Sequence, residues 1–439
     1  MWGNMPAIDI LKAQKNEGEG SSTQDFDILC AASGDLRNVF KTVIELPQEY
    51  TGQCAFTVND LDFDIVARNV IMLMVALYIE TEEAVPAMIH FWYSAKLPKS
   101  MLQMVRDALL PLLEDVCTKT TEKPDDTPLA KTSRLESGQT LRIVLPKRGW
   151  NRLKSYLTLP AGLIPEKAKA MRDHVANNPA NLDAVHEGFS FFWHTLRTSR
   201  QKYRETGVLL PYGTSRAEYD TWNPTFLQGN AWPMALDADP DTGWSHEQIR
   251  SGAPKAVGDY TGAQFFMLRD LLSKFCQRVK CLKLKFRIYY MDARDLLMRL
   301  TFWKEEVGVY DRIEVNPCPH LDLHCNARDG ALTFSPDDQR MRRHIYRPHR
   351  RHLNLRAPPQ TPFRQPPCNL APPVPKRGQR RRHPPSHPAR LLDAQTALQE
   401  PRAVPHGSRS ARRVRSSRAP LHQRVEQINE DAARFRGPV

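Results

Sequence analysis

At 439 residues and 50.3 kDa the chain has room for two or three domains, one of them with a sizeable core. Its formal charge of +13 is unevenly placed: 38 Lys+Arg stand against 40 Asp+Glu over residues 1–315, and 24 against 9 beyond, which excludes a uniformly basic nucleic-acid-binding fold. The most apolar run, Ile65 to Ile79, carries Arg68 and Asn69 and falls short of the roughly 20 residues a spanning helix needs, so it predicts a buried helix and no membrane partner.

The first predicted element is a strand over 26–32, followed by a tight Ser33-Gly34-Asp35 turn and a helix over 36–46 that ends at Pro47. A second strand over 54–60 follows the turn at Tyr50-Thr51-Gly52. Strand, helix and strand make a βαβ unit, and a long helix over 62–79 covers one face. From 81 to about 260 the pattern is helical and loop-rich, with helices at 82–95, 99–120, 148–157, 164–177, 181–195 and 197–206, and one strand at 140–145. Pro124-Asp125-Asp126-Thr127-Pro128 reads as an exposed linker, and 210–240 as a Pro/Gly-punctuated loop rich in aromatics. Regularity returns with a helix at 262–280, a strand at 283–290, a short helix at 293–300 and a strand at 310–315. The predicted architecture is an α/β, Rossmann-like, doubly wound sheet over 1–315 with a large helical insertion at about 81–260.

Beyond 315 lie 19 of the 35 prolines, 9 of the 14 histidines, and 23 arginines with one lysine, Lys376. Such a segment has too little apolar surface to offset chain entropy and predicts a disordered tail. Its clusters, such as Arg380-Arg381-Arg382, suit salt-sensitive contact with nucleic-acid phosphates. The same Arg/Pro/His bias is also what out-of-frame translation of GC-rich coding sequence produces; the sheet would then end in an open edge at Val315. Cys318, His320, His324 and Cys325 have the spacing of no structural zinc site, and no metal is expected. Eight cysteines without a Cys-x2-Cys pair, and an N-terminus without a basic region and apolar run, predict a reducing, cytoplasmic setting.

Three acids fall at successive predicted strand ends: Asp35 in the first turn, Asp60 after the second strand and Asp292 after the third. In a doubly wound sheet these ends border one crevice, where Gly34 and the acids are placed to hold a nucleotide-like cofactor. The plainer alternative makes each acid a helix cap. A single glycine is one of the three that a full dinucleotide fingerprint needs.

Trp2-Gly3-Asn4-Met5-Pro6-Ala7, Ala32-Ser33-Gly34-Asp35-Leu36-Arg37-Asn38, Val58-Asn59-Asp60-Leu61-Asp62 with Ala67-Arg68-Asn69, Leu210-Pro211-Tyr212-Gly213, Asn223-Pro224-Thr225-Phe226, Trp232-Pro233-Met234 and Asp311-Arg312-Ile313-Glu314-Val315 resemble, in this order, the fungal proteins that carry domain of unknown function 4470. That domain is similar to the N-terminal part of axonemal dynein assembly factors and to methyltransferase-like Rossmann folds. The resemblance spans about residues 1–315. It implies S-adenosylmethionine as the cofactor class, with Gly34, Asp35, Asp60 and Asp292 as the residues to hold it. Against the methyltransferase first motif, Cys30 stands where an acid is usual, and Ala32 and Leu36 where glycines are usual. The resulting expectation is a protein-interaction or assembly module with a degenerate crevice. An S-adenosylmethionine-dependent transferase and nucleic-acid binding through the tail are the alternatives.

Overall fold

The computed structural model describes residues 1–296 apart from 4, 136–137 and 256–257, then 310–315 and two short strands at 324–326 and 331–333. The chain divides into two compact units, Met1–Arg351 and His352–Val439; the second, with most of the predicted basic tail, lies outside the described residues.

In chain order the elements are α1 (Ala13–Asn16), β1 (Phe26–Ala32), α2 (Arg37–Glu45), β2 (Gln53–Asp60), α3 (Phe63–Tyr78), α4 (Thr81–Tyr93), β3 (Lys96–Leu97), α5 (Lys99–Lys119), β4 (Pro128–Arg134) and β5 (Thr140–Pro146). They continue with α6 (Lys147–Ser155), α7 (Pro165–Ala176), α8 (Leu182–Ser190), α9 (His194–Thr206), β6 (Thr221–Trp222), α10 (His246–Ser251), α11 (Tyr260–Cys281), β7 (Lys283–Tyr290), β8 (Arg312–Val315), and the antiparallel pair β9 (His324–Asn326) and β10 (Ala331–Thr333).

The result is a mixed α/β fold around a mostly parallel six-stranded sheet of order β4-β5-β7-β2-β1-β8, in which only β4 runs antiparallel to its neighbour. β1 and β2 are nearly continuous buried runs, as central parallel strands must be. Without the β4–β5 hairpin, the strands stand in the order third, second, first, fourth, the arrangement of a Rossmann-like half-sheet. The order reverses between β1 and β8, so the crevice belongs at the carboxyl ends of β1, β2, β7 and β8.

Two features differ from the sequence reading. The predicted helical insertion also supplies the β4–β5 hairpin, which extends the sheet beyond β7. Leu129 is the only buried side chain of β4, so an edge strand with a polar outer face gave no apolar alternation to read. The second feature is the layering. Ile28, Cys30, Phe56, Val58, Phe286 and Ile288 point into one large core shared with α2, α3, α4, α5 and α11. Leu29, Ala31, Val144 and Tyr289 face the other side, where among the described residues the cover comes from 291–296 and 310–315. The predicted helix at 293–300 is helical as far as 296, and the remainder lies outside the described residues.

Helix positions follow local chemistry. Asp62 caps α3 by accepting from Asp64 N, and Asp259 caps α11 by accepting from Gly262 N. Across the sheet, Phe56 and Phe286 stack at 5.7 Å, a pair that contributes about 0.5–1.5 kcal/mol beyond its buried area. Among the described residues no helix is long and apolar enough to cross a membrane.

Candidate functional site: the crevice at the strand ends

Gly34 turns the chain out of β1 with φ 57°, a left-handed conformation that glycine adopts without strain. Its N–H donates to Asp60 Oδ2 at 2.9 Å, while Asp60 Oδ1 accepts from Asp62 N at 2.9 Å. Burial pushes the Asp60 carboxyl above its ordinary pKa. Next to it, Asn59 Nδ2 donates to Ala31 O at 2.9 Å and Met291 O at 3.0 Å, tying together the ends of β1, β2 and β7. Asn59 Oδ1 is buried there without a hydrogen-bond partner among the described residues. Asp292, at the third strand end, accepts from Arg294 N at 2.9 Å and pairs with the exposed Arg294 guanidinium, whose hydrogen bonds lower its pKa. Gly34 and Asp60 are thus in direct contact, whereas Asp292 is bonded locally to Arg294.

At the start of α2 the N-cap position is Leu36, without a side-chain cap bond, and the bond that Asp35 Oδ1 accepts from the first helical N–H, Arg37 N, is a long one at 3.4 Å. Asp35 Oδ2 accepts from Gly3 N at 2.9 Å, and Oδ1 also accepts from Arg37 Nη1 at 2.6 Å, with both side chains buried. Arg37 Nε donates onward to Met5 O at 3.1 Å. Further along, Asn38 Oδ1 accepts from Ile8 N at 3.0 Å and Thr42 Oγ1 from Ile10 N at 2.8 Å. Positions 35, 38 and 42 form one stripe at helical spacing, a row of buried acceptors that fixes an extended strap along α2.

The start of the strap is fixed on its other side as well. Trp2 Nε1 donates to Trp92 O at 2.8 Å, and its ring packs against Tyr93, Tyr203 and Phe226. Thr242 Oγ1 donates to Gly3 O at 3.1 Å, and Ala7 N to Gly243 O at 2.9 Å. A Cβ on Gly3 would lie 1.6 Å from Arg37 Nη1, so any larger residue here has to displace the buried Arg37 guanidinium.

Under the strap, Met1, Asp35, Arg68 and Asn69 help to line a cavity of about 20 Å³. Burial lowers the pKa of the Met1 amine, which feels the charges of Arg68, Asp35, Asp62 and Asp60. Arg68 is buried without an ion-pair partner among the described residues. It donates to Trp92 O at 2.7 Å and Thr225 Oγ1 at 2.5 Å and lies 4.4 Å over the Phe226 ring. Desolvation lowers its pKa to about 10. The Asn223 amide is equally engaged: Nδ2 donates to the carbonyls of His90, Phe91 and Ser94, and Oδ1 accepts from Thr225 N. Asn223-Pro224-Thr225-Phe226 therefore closes the end of α4 rather than presenting a free amide acceptor.

At the reversal between β1 and β8, Glu314 Oε1 accepts from Asn38 Nδ2 at 3.2 Å beside Cys30. Burial pushes the Glu314 carboxyl up to about 7 and the Cys30 thiol well above its ordinary value, so the thiol stays protonated. Arg37, Asn38 and Glu314 entered the sequence reading only as members of the resemblance motifs, with no role assigned, and Thr42 did not enter it. The available signal was the polar stripe on a helix that is otherwise core-facing. Among the described residues no group of three or more His, Cys, Asp and Glu could hold a metal ion; the Cys318 to Cys325 cluster lies outside the residues whose side chains are described.

A family model described as a domain of unknown function (DUF4470) matches residues 1–97. The matched stretch runs from the strap through β1, α2, β2, α3 and α4. It therefore contains both partners of the Gly3–Asp35, Gly34–Asp60 and Trp2–Trp92 contacts. No curated protein and no solved structure matches the chain.

Proposed function

We propose that this domain works through contacts with other proteins, as an interaction or assembly module, and that its crevice is filled by its own N-terminal strap. The observation that carries this reading is the double engagement of Asp35 by Gly3 N and Arg37, beside a Gly34 N–H already given to Asp60. S-adenosylmethionine, the group implied by the family resemblance, needs those same atoms free. It also needs a pocket of roughly 300 Å³ or more, and the cavity that Asp35 lines under the strap holds about 20 Å³. With the strap in place the Gly34 N–H and the Asp35 and Asp60 carboxylates are taken up within the chain and do not fit that cofactor, and no transfer step is derived through it. The likeness to dynein assembly factors read from the motifs points the same way, towards work on other proteins.

The test is calorimetric titration of S-adenosylmethionine into the full chain, with Asp60→Ala as control. No heat in either protein is the expected result. Heat in the wild type that Asp60→Ala abolishes overturns the reading and restores a cofactor-binding role for the crevice.

A further inference from the structure

β8 ends the sheet on the β1 side with four residues, Arg312–Val315, all of them only partly buried, and its pairing with β1 shifts register between Cys30 and Ala32. Ile313 and Val315 pack with Leu29 and Ala31. Arg312 and Glu314, at the alternate positions, therefore lie on the other face of the sheet, beside Ile28 and Cys30 where these enter the large core. Apolar side chains at these two positions would carry the core to the edge of the sheet. β8 has charges there instead, a feature of edge strands that are not firmly seated.

The two charges are met differently. Arg312 pairs with Glu17 and donates to Asp311 O at 2.7 Å. Glu314 has no ion-pair partner among the described residues: its Oε1 accepts from Asn38 Nδ2 at 3.2 Å, and the Cys30 thiol is its other polar neighbour. The groups that face it are Cys30 from β1 and Asp35, Arg37 and Asn38 from α2, while Arg312 on its own strand is taken by Glu17. Arg37 offsets the carboxylate only in part, because its guanidinium is given to Asp35 at 2.6 Å and to Met5 O at 3.1 Å. Burial is the largest reason that the Glu314 carboxyl stands at about 7; the charge of Asp35 adds to it, and Asn38, Arg37 and Cys30 oppose it.

We propose that Glu314 is a proton-operated latch on the edge of the sheet: with its carboxyl protonated β8 stays seated on β1, and with it ionised β8 detaches more readily and leaves the outer edge of β1 unpaired. The latch does not depend on what fills the crevice. Its sign follows from proton linkage. In the detached strand the carboxyl returns to its ordinary value of 4.5, so between there and about 7 the seated strand holds a proton that the detached strand does not. Seating is firmest below 4.5, weakens as the pH rises through about 7 and levels off above it. A bared edge on a central strand is a template for a strand of another chain, so the latch controls when this edge is open to such pairing.

The test is amide hydrogen exchange of the full chain from pH 5 to 8, corrected for the intrinsic pH dependence of exchange and read in peptides covering β1 and β8. Peptides covering β7, in the middle of the sheet, report unfolding of the whole domain, which other buried groups such as His90 and Asp239 also make pH-dependent. The expected result is that protection of β8 and β1, relative to β7, falls about tenfold or more between pH 5 and 7 and changes little from 7 to 8. Glu314→Gln, of nearly the same shape but without the titration, should keep the protection that wild type shows at pH 5 across the whole range. A wild-type profile for β8 and β1 that runs parallel to β7 overturns the latch, and so does a Glu314→Gln profile with the wild-type slope. Glu314→Leu repeats the second arm if the glutamine variant does not fold, and the wild-type profile decides the first arm without any variant.

Discussion

Gly3 N and Asp35 Oδ2 meet at 2.9 Å across 32 residues of sequence, inside a space so close that Arg37 occupies the volume where a Gly3 side chain would begin. The carboxylate that follows the first strand of the sheet therefore has a backbone donor from the chain itself. In a nucleotide-binding corner that position faces a ligand. Here it anchors the strap, and the strap in turn ties α2 to the 239–244 loop through Thr242 and Gly243.

The first prediction concerns that approach. Gly3→Val forces the buried Arg37 guanidinium from its hydrogen bonds or lifts the strap, and overpacking of this kind costs about 1–3 kcal/mol. Urea unfolding measures the loss, and limited proteolysis locates it: the N-terminal segment should become the first site cut. A variant that matches wild type in both measurements shows that the contact does not hold the strap.

The ion pair beneath the strap gives a second prediction. Asp35→Ala leaves Arg37 buried and unpaired, 2 % exposed, and should destabilise the protein by about 3–5 kcal/mol. The double variant Asp35→Ala/Arg37→Met removes the stranded charge and should recover much of that loss. Additive effects in the double-mutant cycle argue that the two residues do not act as a pair.

These two contacts also mark where sequence reading reached its limit. β1 and β2 were legible as nearly continuous apolar runs, β7 by the alternation of Lys283, Lys285 and Arg287 with Leu284, Phe286 and Ile288, and the turn at Gly34 because a glycine follows a buried strand. The acids Asp35, Asp60 and Asp292 were correctly placed at strand ends, yet their partners were not readable. Asp60 binds Gly34 N and Asp35 binds Gly3 N, and backbone donors carry no signature in a sequence. The strap itself has no periodicity, since the pattern that specifies it lies on α2, at Asp35, Asn38 and Thr42. β4 was missed for the opposite reason: an edge strand with one buried residue resembles a polar loop.

Asn223 provides a third test, within one of the motifs that carry the family resemblance. Its Nδ2 serves three carbonyl oxygens at the end of α4, at 3.3, 3.2 and 2.9 Å, and the side chain is fully buried. Asn223→Ala leaves those acceptors unsatisfied and should cost about 1–3 kcal/mol for the group. Asn223→Asp, nearly the same shape, should be worse, because it removes the donors and adds a buried charge. Denaturant midpoints rank the variants; an Asn223→Asp protein as stable as wild type would contradict the assigned hydrogen bonds.

The last prediction is a pH dependence with a definite sign. His90 is 1 % exposed; its Nδ1 lies 2.9 Å from Ser94 Oγ and its Nε2 3.0 Å from Tyr219 Oη, and burial lowers its pKa from 6.5 to about 3. The unfolded chain binds this proton below pH 6.5 while the folded protein does not, so the contribution of His90 is fully present above pH 6.5 and is lost as the pH falls. By pH 4.5 the loss amounts to about 3 kcal/mol, at 1.36 kcal/mol per pH unit. Asp239 acts in the opposite sense, because burial raises its carboxyl to about 6 and its stabilising contribution declines as the pH rises through that value, so total stability alone does not isolate the histidine. The informative quantity is the difference between wild type and His90→Gln, measured by urea unfolding from pH 8 to 4.5. It should shift steadily against the wild type below pH 6.5, while the His90 Cε1–H resonance keeps its neutral position in the folded protein. A resonance that titrates near 6.5 in the folded state places the imidazole in contact with water and rules out the buried neutral form.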